Sequence, residues 1–576
     1  MQTSDSELRD DRSPAPPGED LSERATRVVM PAGQSFVWLS GGALAINLLM
    51  IVGILALLAW NGLGHFWPRE IVLVERDDGR KLYGEIHERE LVPAHVITTE
   101  AGSDTGAEAG DTRIRLKTGN RDLTGIDFEW LRERSVRSIS TPSDAVLLER
   151  MEYGNFYGRP VLLRRGEEVL AEGVEPVWDA LGPLHAAKLR ALEELEHLEK
   201  GPIGDINYAF ESLRLEEKRL AFEDDLSPQE RATREEEIEA RRAELDAEYA
   251  ELAGQLFADR EAVESDVLVM EAADGARMEI PVSQVVRAIR PNDMTFGEKV
   301  ALYGSRLGEF VADDPRESNT EGGIFPAIFG TVLMVFLMSF AVVPFGVLGA
   351  LYLREYAREG FMVRMVRTAV NNLAGVPSIV FGVFGLGFFV YLLGGSIDRL
   401  FYPEALPTPT YGTGGILWGR LTLALLTVPV VIVATEEGLA AVPRVVREGS
   451  LALGATKFET IRRVVLPAAA PGVLTGVILA MARAAGEVAP LMIVGMVKLA
   501  PTLPIDHHLP FVHLERKFMH LGFHIYDVGF QSPNVEAAKP LVFATSLLLV
   551  IIVTLMNVVA FAVRNHLRRK YATSAV

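Results

Sequence analysis

Two charged residues sit inside an otherwise apolar run. Arg483 and Glu487 are the only charged residues between Pro471 and Val497, a stretch long enough to cross a bilayer. A charge at the centre of a membrane helix costs about 2.5–3.5 kcal/mol on insertion scales, so its presence needs a reason. The spacing is i, i+4, which puts both side chains on one face of a helix and within pairing distance. Arginine offers several donors to a passing anion, and a glutamate beside it fixes its rotamer. The other reading is an ion pair that bridges two spans and touches no substrate.

A second candidate is the polar stretch Glu448–Pro467 between two apolar runs, flanked and studded by Arg444, Arg447, Lys457, Arg462 and Arg463. Gly454 stands in its middle. A helix there would lose roughly 1 kcal/mol relative to alanine, whereas a sharp turn would exploit it. The segment therefore predicts two short helices hinged near Gly454, with Pro467 in the first turn of the next helix. An ordinary basic loop is the alternative. Five of the eleven histidines, His507, His508, His513, His520 and His524, fall in one loop. His520 and His524 have helical i, i+4 spacing, but no His-Glu motif or carboxylate-rich run accompanies them. A solvated outer loop is expected, with no metal. Gly454–Lys457 (GATK) lacks the upstream glycines of a phosphate-binding loop, and no nucleophile–base set stands out. Neither ATP hydrolysis nor other catalysis is expected of this chain, and no cofactor.

The elements that must carry these residues are membrane helices. The 576 residues are 49% apolar and 23% charged, with a mean hydropathy of +0.18, a mixture that implies separate membrane and soluble parts. The net charge is −20. Much of it lies between Leu184 and Glu264, with 23 acidic against 11 basic residues. Such an acidic balance excludes nucleic-acid binding, and the lack of cysteine excludes disulfides and thiolate chemistry. Residues 1–38 read as a disordered acidic tail. Residues 39–60 form span one. Residues 69–321 form a soluble insertion: strand-like alternation at both ends suggests one small β domain, interrupted at 184–262 by a coiled-coil-like helical hairpin. Five further spans fill 324–563: Ile324–Leu353, Ala369–Leu393, Gly414–Thr435, Pro471–Val497 and Pro540–Val563. Pro377 would loosen span three, which Asn371 and Asn372 begin. Glu436 and Glu437, past span four, face water or a partner protein. The loop 437–469 is basic, as are the two–three loop and the tail 564–576. Basic short loops mark the cytoplasmic side, so both termini are expected in the cytoplasm and the insertion outside.

The spacing of the polar stretch has a counterpart. Glu448-Gly449-Ser450, three residues, Gly454, nine residues, Val464, one residue, then Leu466-Pro467 resembles the EAA loop of ABC-transporter permeases, departing at Gly449, Ser450 and Val464. Asn371–Val390, Ala482–Gly495 and the stretch Pro344–Tyr356 look like the PstA-type permease subunits of phosphate ABC transporters. The resemblance covers most of 324–570 and leaves the insertion unexplained. It implies a six-span α-helical importer core, to which the soluble β-rich domain and hairpin are added. It also implies that the chain moves inorganic phosphate across a bacterial inner membrane. Glu448, Gly454, Leu466 and Pro467 would couple it to an ATPase, and Arg483 and Glu487 would line the pathway. The implied partners are a PstC-type second permease, two ATPase subunits, a periplasmic phosphate-binding protein and membrane lipid. Another oxyanion such as molybdate or sulfate, or a membrane sensor or scaffold, are the alternative functions.

Overall fold

The computed structural model describes residues 34–91, 112–223, 226–532 and 535–572. The expected disordered tail lies outside the described residues except for its last positions, 34–38, which are already helical. Helix α1, Gln34–Leu63, is apolar along its whole length.

The insertion holds two larger antiparallel sheets and a two-stranded ribbon, Pro315–Arg316 with Glu321–Gly322. The first has five strands, in the order β4 (Phe128–Arg132), β3 (Thr112–Lys117), β2 (Lys81–Leu91), β1 (Ile71–Arg76), β5 (Val136–Ser140). The Asp78-Gly79 turn joins β1 to β2, with Gly79 at φ +84°, as an Asp-Gly hairpin requires. The second sheet runs β10 (Arg277–Pro281), β9 (Asp266–Glu271), β7 (Phe156–Arg165), β6 (Val146–Arg150), β11 (Val285–Ile289), with β8 (Glu168–Glu172) paired to β7. Alternation cannot tell which strands share a sheet, so this pairing is not readable from the sequence. Ile71 and Tyr83 of the first sheet pack with Leu147, Tyr157 and Ile289 of the second in one buried cluster. Asn292 clamps the junction, bonding both backbone groups of Ile71 at 2.8–2.9 Å and the carbonyl of Pro142 at 2.7 Å.

The helical excursion leaves the second sheet after β8 and returns at β9. It comprises α2 (Val174–Lys200), α3 (Pro202–Leu220) and α4 (Pro228–Glu264). It begins ten residues before the expected position 184, because Val177 and Leu181 of α2 are buried against the sheet with Leu163 and Leu268. Gly201-Pro202 divides α2 from α3. Ser227 caps α4: its hydroxyl accepts from Glu230 N, and the Glu230 carboxylate returns to Ser227 N at 3.0 Å, a complete capping box.

After β11, α5 (Phe296–Ala312) leads to the membrane core. That core contains α6 (Phe325–Leu351), α7 (Phe361–Leu373), α8 (Ser378–Phe384, continuing helically to Phe401), α9 (Ile416–Ala440), α10 (Arg444–Ala452), α11 (Lys457–Thr460), α12 (Leu466–Gly486), α13 (Ala489–Val494), α14 (Leu521–Tyr526) and α15 (Val535–Ala572). Among the described residues six helices are long and apolar enough to cross a membrane, so the chain is a multi-pass membrane protein. Met334 and Met338 of α6, Leu423 and Leu426 of α9, and Ala480 and Ala484 of α12 form its buried centre. Helices α9 and α12 touch backbone to backbone: a Cβ on Gly472 would lie 2.5 Å from the Cα of Gly438. Small residues permit such contact between membrane helices, where the hydrophobic effect does not drive association.

Three boundaries differ from expectation. Span three starts at Ser378 rather than Ala369, and Asn371 and Asn372 belong to the separate amphipathic α7. Span five ends at Gly486 rather than Val497. Residues 564–572, read as a tail, continue α15. The first two share a cause. A proline clashes with the carbonyl four residues earlier and supplies no N–H for it. For Pro377 and Pro490 those positions are Leu373 and Gly486, where α7 and α12 end. Pro344, Pro429 and Pro471 remain inside helices. Gly375 and Gly486 precede the two prolines at which helices end, but glycine alone does not decide it, because Pro183 stays inside α2 directly after Gly182.

Candidate translocation pathway and coupling surface

Arg483 and Glu487 do form a pair, with Nε 3.4 Å from Oε1, but not on a continuous helical face. Glu487 is extended (φ −85°, ψ 119°) just beyond the last residue of α12. The ion pair therefore spans a break in the helix. Both side chains keep partial exposure, 33% for Arg483 and 19% for Glu487. After the break, α13 packs on the core through buried Pro490, Leu491 and Val494, and Gly495 then fits against Gly415, where a Cβ would come within 2.6 Å of Gly415 N. Non-helical backbone at membrane depth is tolerated where it is buried in protein or lines a water-filled cavity.

Arg420 is a further charge near one end of span four that belongs to no motif. It lies in α9, within a span, and its buried Nε has no hydrogen-bond partner among the described residues. The available signal was its type alone: a charge inside an apolar helix.

The polar stretch folds as two short helices, α10 and α11, around a turn at Gly454. That residue has φ +89°, in the left-handed region where a side chain is strained. Thr456 then caps α11 with a full capping box: its hydroxyl accepts from Glu459 N at 3.3 Å, and Glu459 Oε2 accepts from Thr456 N at 2.9 Å. A π-helical turn, Ile461–Val465, leads into α12, with Pro467 in its first turn. Glu448 is exposed, while Leu466 and Pro467 are half-buried at the helix entrance. Leu453 beside the hinge is 91% exposed and Phe458 is 61% exposed, an apolar pair on a polar loop.

Arg447 ties this loop to the rest of the core. Its guanidinium donates to the carbonyls of Leu439 and Val442, each at 2.6 Å, and to Glu355 Oε1 at 3.0 Å. Lys457 donates to the carbonyl of Glu355 and lies 4.8 Å from the centre of the Tyr356 ring. The two–three and four–five loops are thus one unit. Glu436 does not simply face water: it pairs with Arg367 Nε at 3.3 Å, and Arg367 also reaches the carbonyl of Leu353.

The histidine loop, expected to be solvated, is packed at three of its five histidines. His513, His520 and His524 are buried, at 4%, 1% and 2% exposure. His513 bonds Asp506 Oδ1 at 2.8 Å and Glu515 Oε1 at 3.1 Å. Burial works against charge on Asp506, but hydrogen bonds from His513 and Arg516 outweigh it and hold its pKa down at about 2. His520 caps α14 and His524 lies within it; the helix's first N–H groups donate to Thr331 Oγ1 and His520 Nδ1. Apolar neighbours from α6 and α15 bury this turn, which the loop's own composition does not reveal.

Residues 342–573 match the model of the binding-protein-dependent transport system inner membrane component. The probable ABC transporter permease protein YqgI of Bacillus subtilis is 32% identical over 259 residues, 44% of this chain and 81% of that protein. The chain belongs to this family of transport-system inner membrane components. The phosphate transport system permease protein PstA of Yersinia pestis is 32% identical over 268 residues, 46% of this chain and 81% of PstA. The probable permease YqgH of Bacillus subtilis is 33% identical over 195 residues, with 34% of this chain and 59% of YqgH, less than two thirds of its length, in the match. For a component of this family, the break at Glu487 and the hinge at Gly454 both fall within the matched region; the two sheets and helices α2 to α4 fall outside it. Family membership makes the chain a transport component, not an enzyme.

Proposed function

We propose that this chain is the permease subunit of an ATP-driven importer of inorganic phosphate. The observation that carries the substrate is the similarity to proteins named as phosphate transport permeases, PstA of Yersinia pestis among them, over four fifths of that protein's length. The Arg483–Glu487 pair at the break in span five supports it. An arginine there offers donors to an oxyanion, while the glutamate competes for the same guanidinium and keeps the anion from being trapped. Arg420 adds a second guanidinium inside a span, with its buried Nε lacking a partner among the described residues.

The loop around Gly454 receives the work of a separate ATPase. Leu453 and Phe458 offer apolar anchors, and Glu448 an exposed charge, to a groove on that subunit. Because Arg447 and Lys457 join this loop to Glu355, a push on α10 moves the inner ends of α6, α9 and α12 together. Two ATPase chains, a related PstC-type permease and a phosphate-binding protein complete the complex. The basic loops and both termini face the cytoplasm, and the insertion faces outward, where it widens the surface that meets the binding protein. Closure of the ATPase pair switches the pathway between outward and inward access.

Uptake of labelled phosphate by the reconstituted complex, with and without ATP, tests this reading. Arg483→Gln should lower uptake efficiency by about tenfold to a hundredfold, the loss of one hydrogen bond to a charged group at roughly 1.5–3 kcal/mol. ATP-driven uptake of sulfate or molybdate in preference to phosphate would overturn the substrate, and undiminished phosphate uptake by Arg483→Gln would overturn the pathway.

A further inference from the structure

The inserted helices touch the permease loops at one set of groups whose chemistry is that of a metal site. Asp205 lies in the first turn of α3, and His507 and His508 lie in the loop between α13 and α14. About three hundred residues of chain separate them, yet Asp205 Oδ1 is 2.9 Å from His507 Nε2 and 3.3 Å from His508 Nε2. One donor atom from each residue falls within 4.8 Å of the other two. A tetrahedral metal about 2.0–2.1 Å from nitrogen and oxygen donors sets those donors about 3.3 Å apart. The two distances from Asp205 already stand close to that separation.

Neighbours hold the ligands in place. The Tyr208 ring, one turn along α3 from Asp205, stacks on His508 at 4.0 Å between centres and 11° between planes, and its hydroxyl donates to the carbonyl of Leu509 at 3.4 Å. His508 N donates to Asp506 Oδ1 at 2.9 Å. At its other end α3 is fixed independently: Arg219 bonds the buried carboxylate of Glu404 at 2.8 Å, and Lys218 reaches the carbonyl of Leu406. Helix α3 therefore lies across two loops of the core, and the ligand set is not a chance meeting of three free side chains. Asp205 and His507 are exposed and His508 half-buried, so an ion from the medium can reach them.

We propose that Asp205, His507 and His508 bind a divalent transition metal, zinc being the fitting probe. Two imidazoles and one carboxylate suit such an ion far better than magnesium or calcium, which prefer all-oxygen shells. Three protein ligands leave a fourth position to water. The metal would staple the insertion to the core loop and make their contact depend on available metal. On the orientation proposed above, that metal is extracytoplasmic.

The test uses the full-length protein in detergent, stripped with chelator and titrated calorimetrically with zinc, with magnesium as the control. We expect one zinc per chain, no magnesium heat, and a zinc-dependent rise in Tm. Asp205→Ala and His507→Gln, both at exposed positions, should each weaken zinc binding by about tenfold or more and remove the rise in Tm. Cobalt in place of zinc should give the visible absorption of a four-coordinate site in the wild type alone. Absence of zinc binding, or equal binding in wild type, Asp205→Ala and His507→Gln, would overturn the proposal. No transport enters these readouts, so their failure is distinct from failure of the phosphate reading.

Discussion

Substitution of Gly454 separates the hinge from every other feature of the coupling loop. The residue sits at φ +89°, and a Cβ built there meets nothing within 4 Å. No neighbour has to move, so the whole penalty lies in the backbone. Holding an L-residue in the left-handed region costs roughly 1–2 kcal/mol, which shifts the population of the hinged loop by a factor of about 5–30. Asparagine tolerates this region several-fold better than most residues, whereas a β-branched residue is an outlier there. The expected order is therefore Gly454, then Asn, then Ala, then Val. The assay is phosphate moved per ATP hydrolysed in proteoliposomes, with ATPase-subunit affinity measured alongside. Gly454→Val should lose coupling and ATPase affinity together, Gly454→Asn should keep most of both, and all variants should insert normally. Equal coupling in Val and wild type would refute the hinge. So would an asparagine variant as poor as valine, since that would place the defect in contact with the partner rather than in φ.

Arg447→Met removes three hydrogen bonds at the joint between the two inner loops and should lower stability by about 2–3 kcal/mol, given about 1 kcal/mol per net bond; thermal unfolding in detergent measures it. Leu453→Asp should weaken ATPase binding without changing Tm, because a residue 91% exposed makes little packing of its own; a pull-down with the ATPase subunit decides. The carboxyl of Asp506 has its pKa depressed from 3.8 to about 2 in the folded protein. A depressed carboxylate contributes stability above its unfolded pKa and loses it as pH falls through the folded value. The wild type should therefore lose stability between about pH 4 and pH 2 relative to Asp506→Asn, and parallel curves would contradict the assignment.

What the sequence made legible was local. The spacing from Glu448 to Pro467 specifies a helix, a left-handed glycine and a proline-started helix within twenty residues, and each follows from its own residue type. The helix break at Glu487 was written there too, in Gly486 and Pro490, but hydropathy weighs apolar content and ran the span through to Val497. Pairings across long separations were not readable. The buried state of His520 depends on α6, the division of the strands into two sheets depends on β7 meeting β9 across the hairpin, and Asp205 reaches His507 only once the inserted helices have folded back. Arg420 was visible as a charge in a span, but it carries no motif.

The central claim is that this permease component moves phosphate at the expense of ATP hydrolysed by another chain. Uptake of radiolabelled phosphate by proteoliposomes holding the complete complex tests it most directly. Uptake should require ATP, be competed by unlabelled phosphate, and not be competed by equal sulfate or molybdate. Uptake of sulfate or molybdate in place of phosphate, or phosphate uptake that persists without ATP, would contradict it.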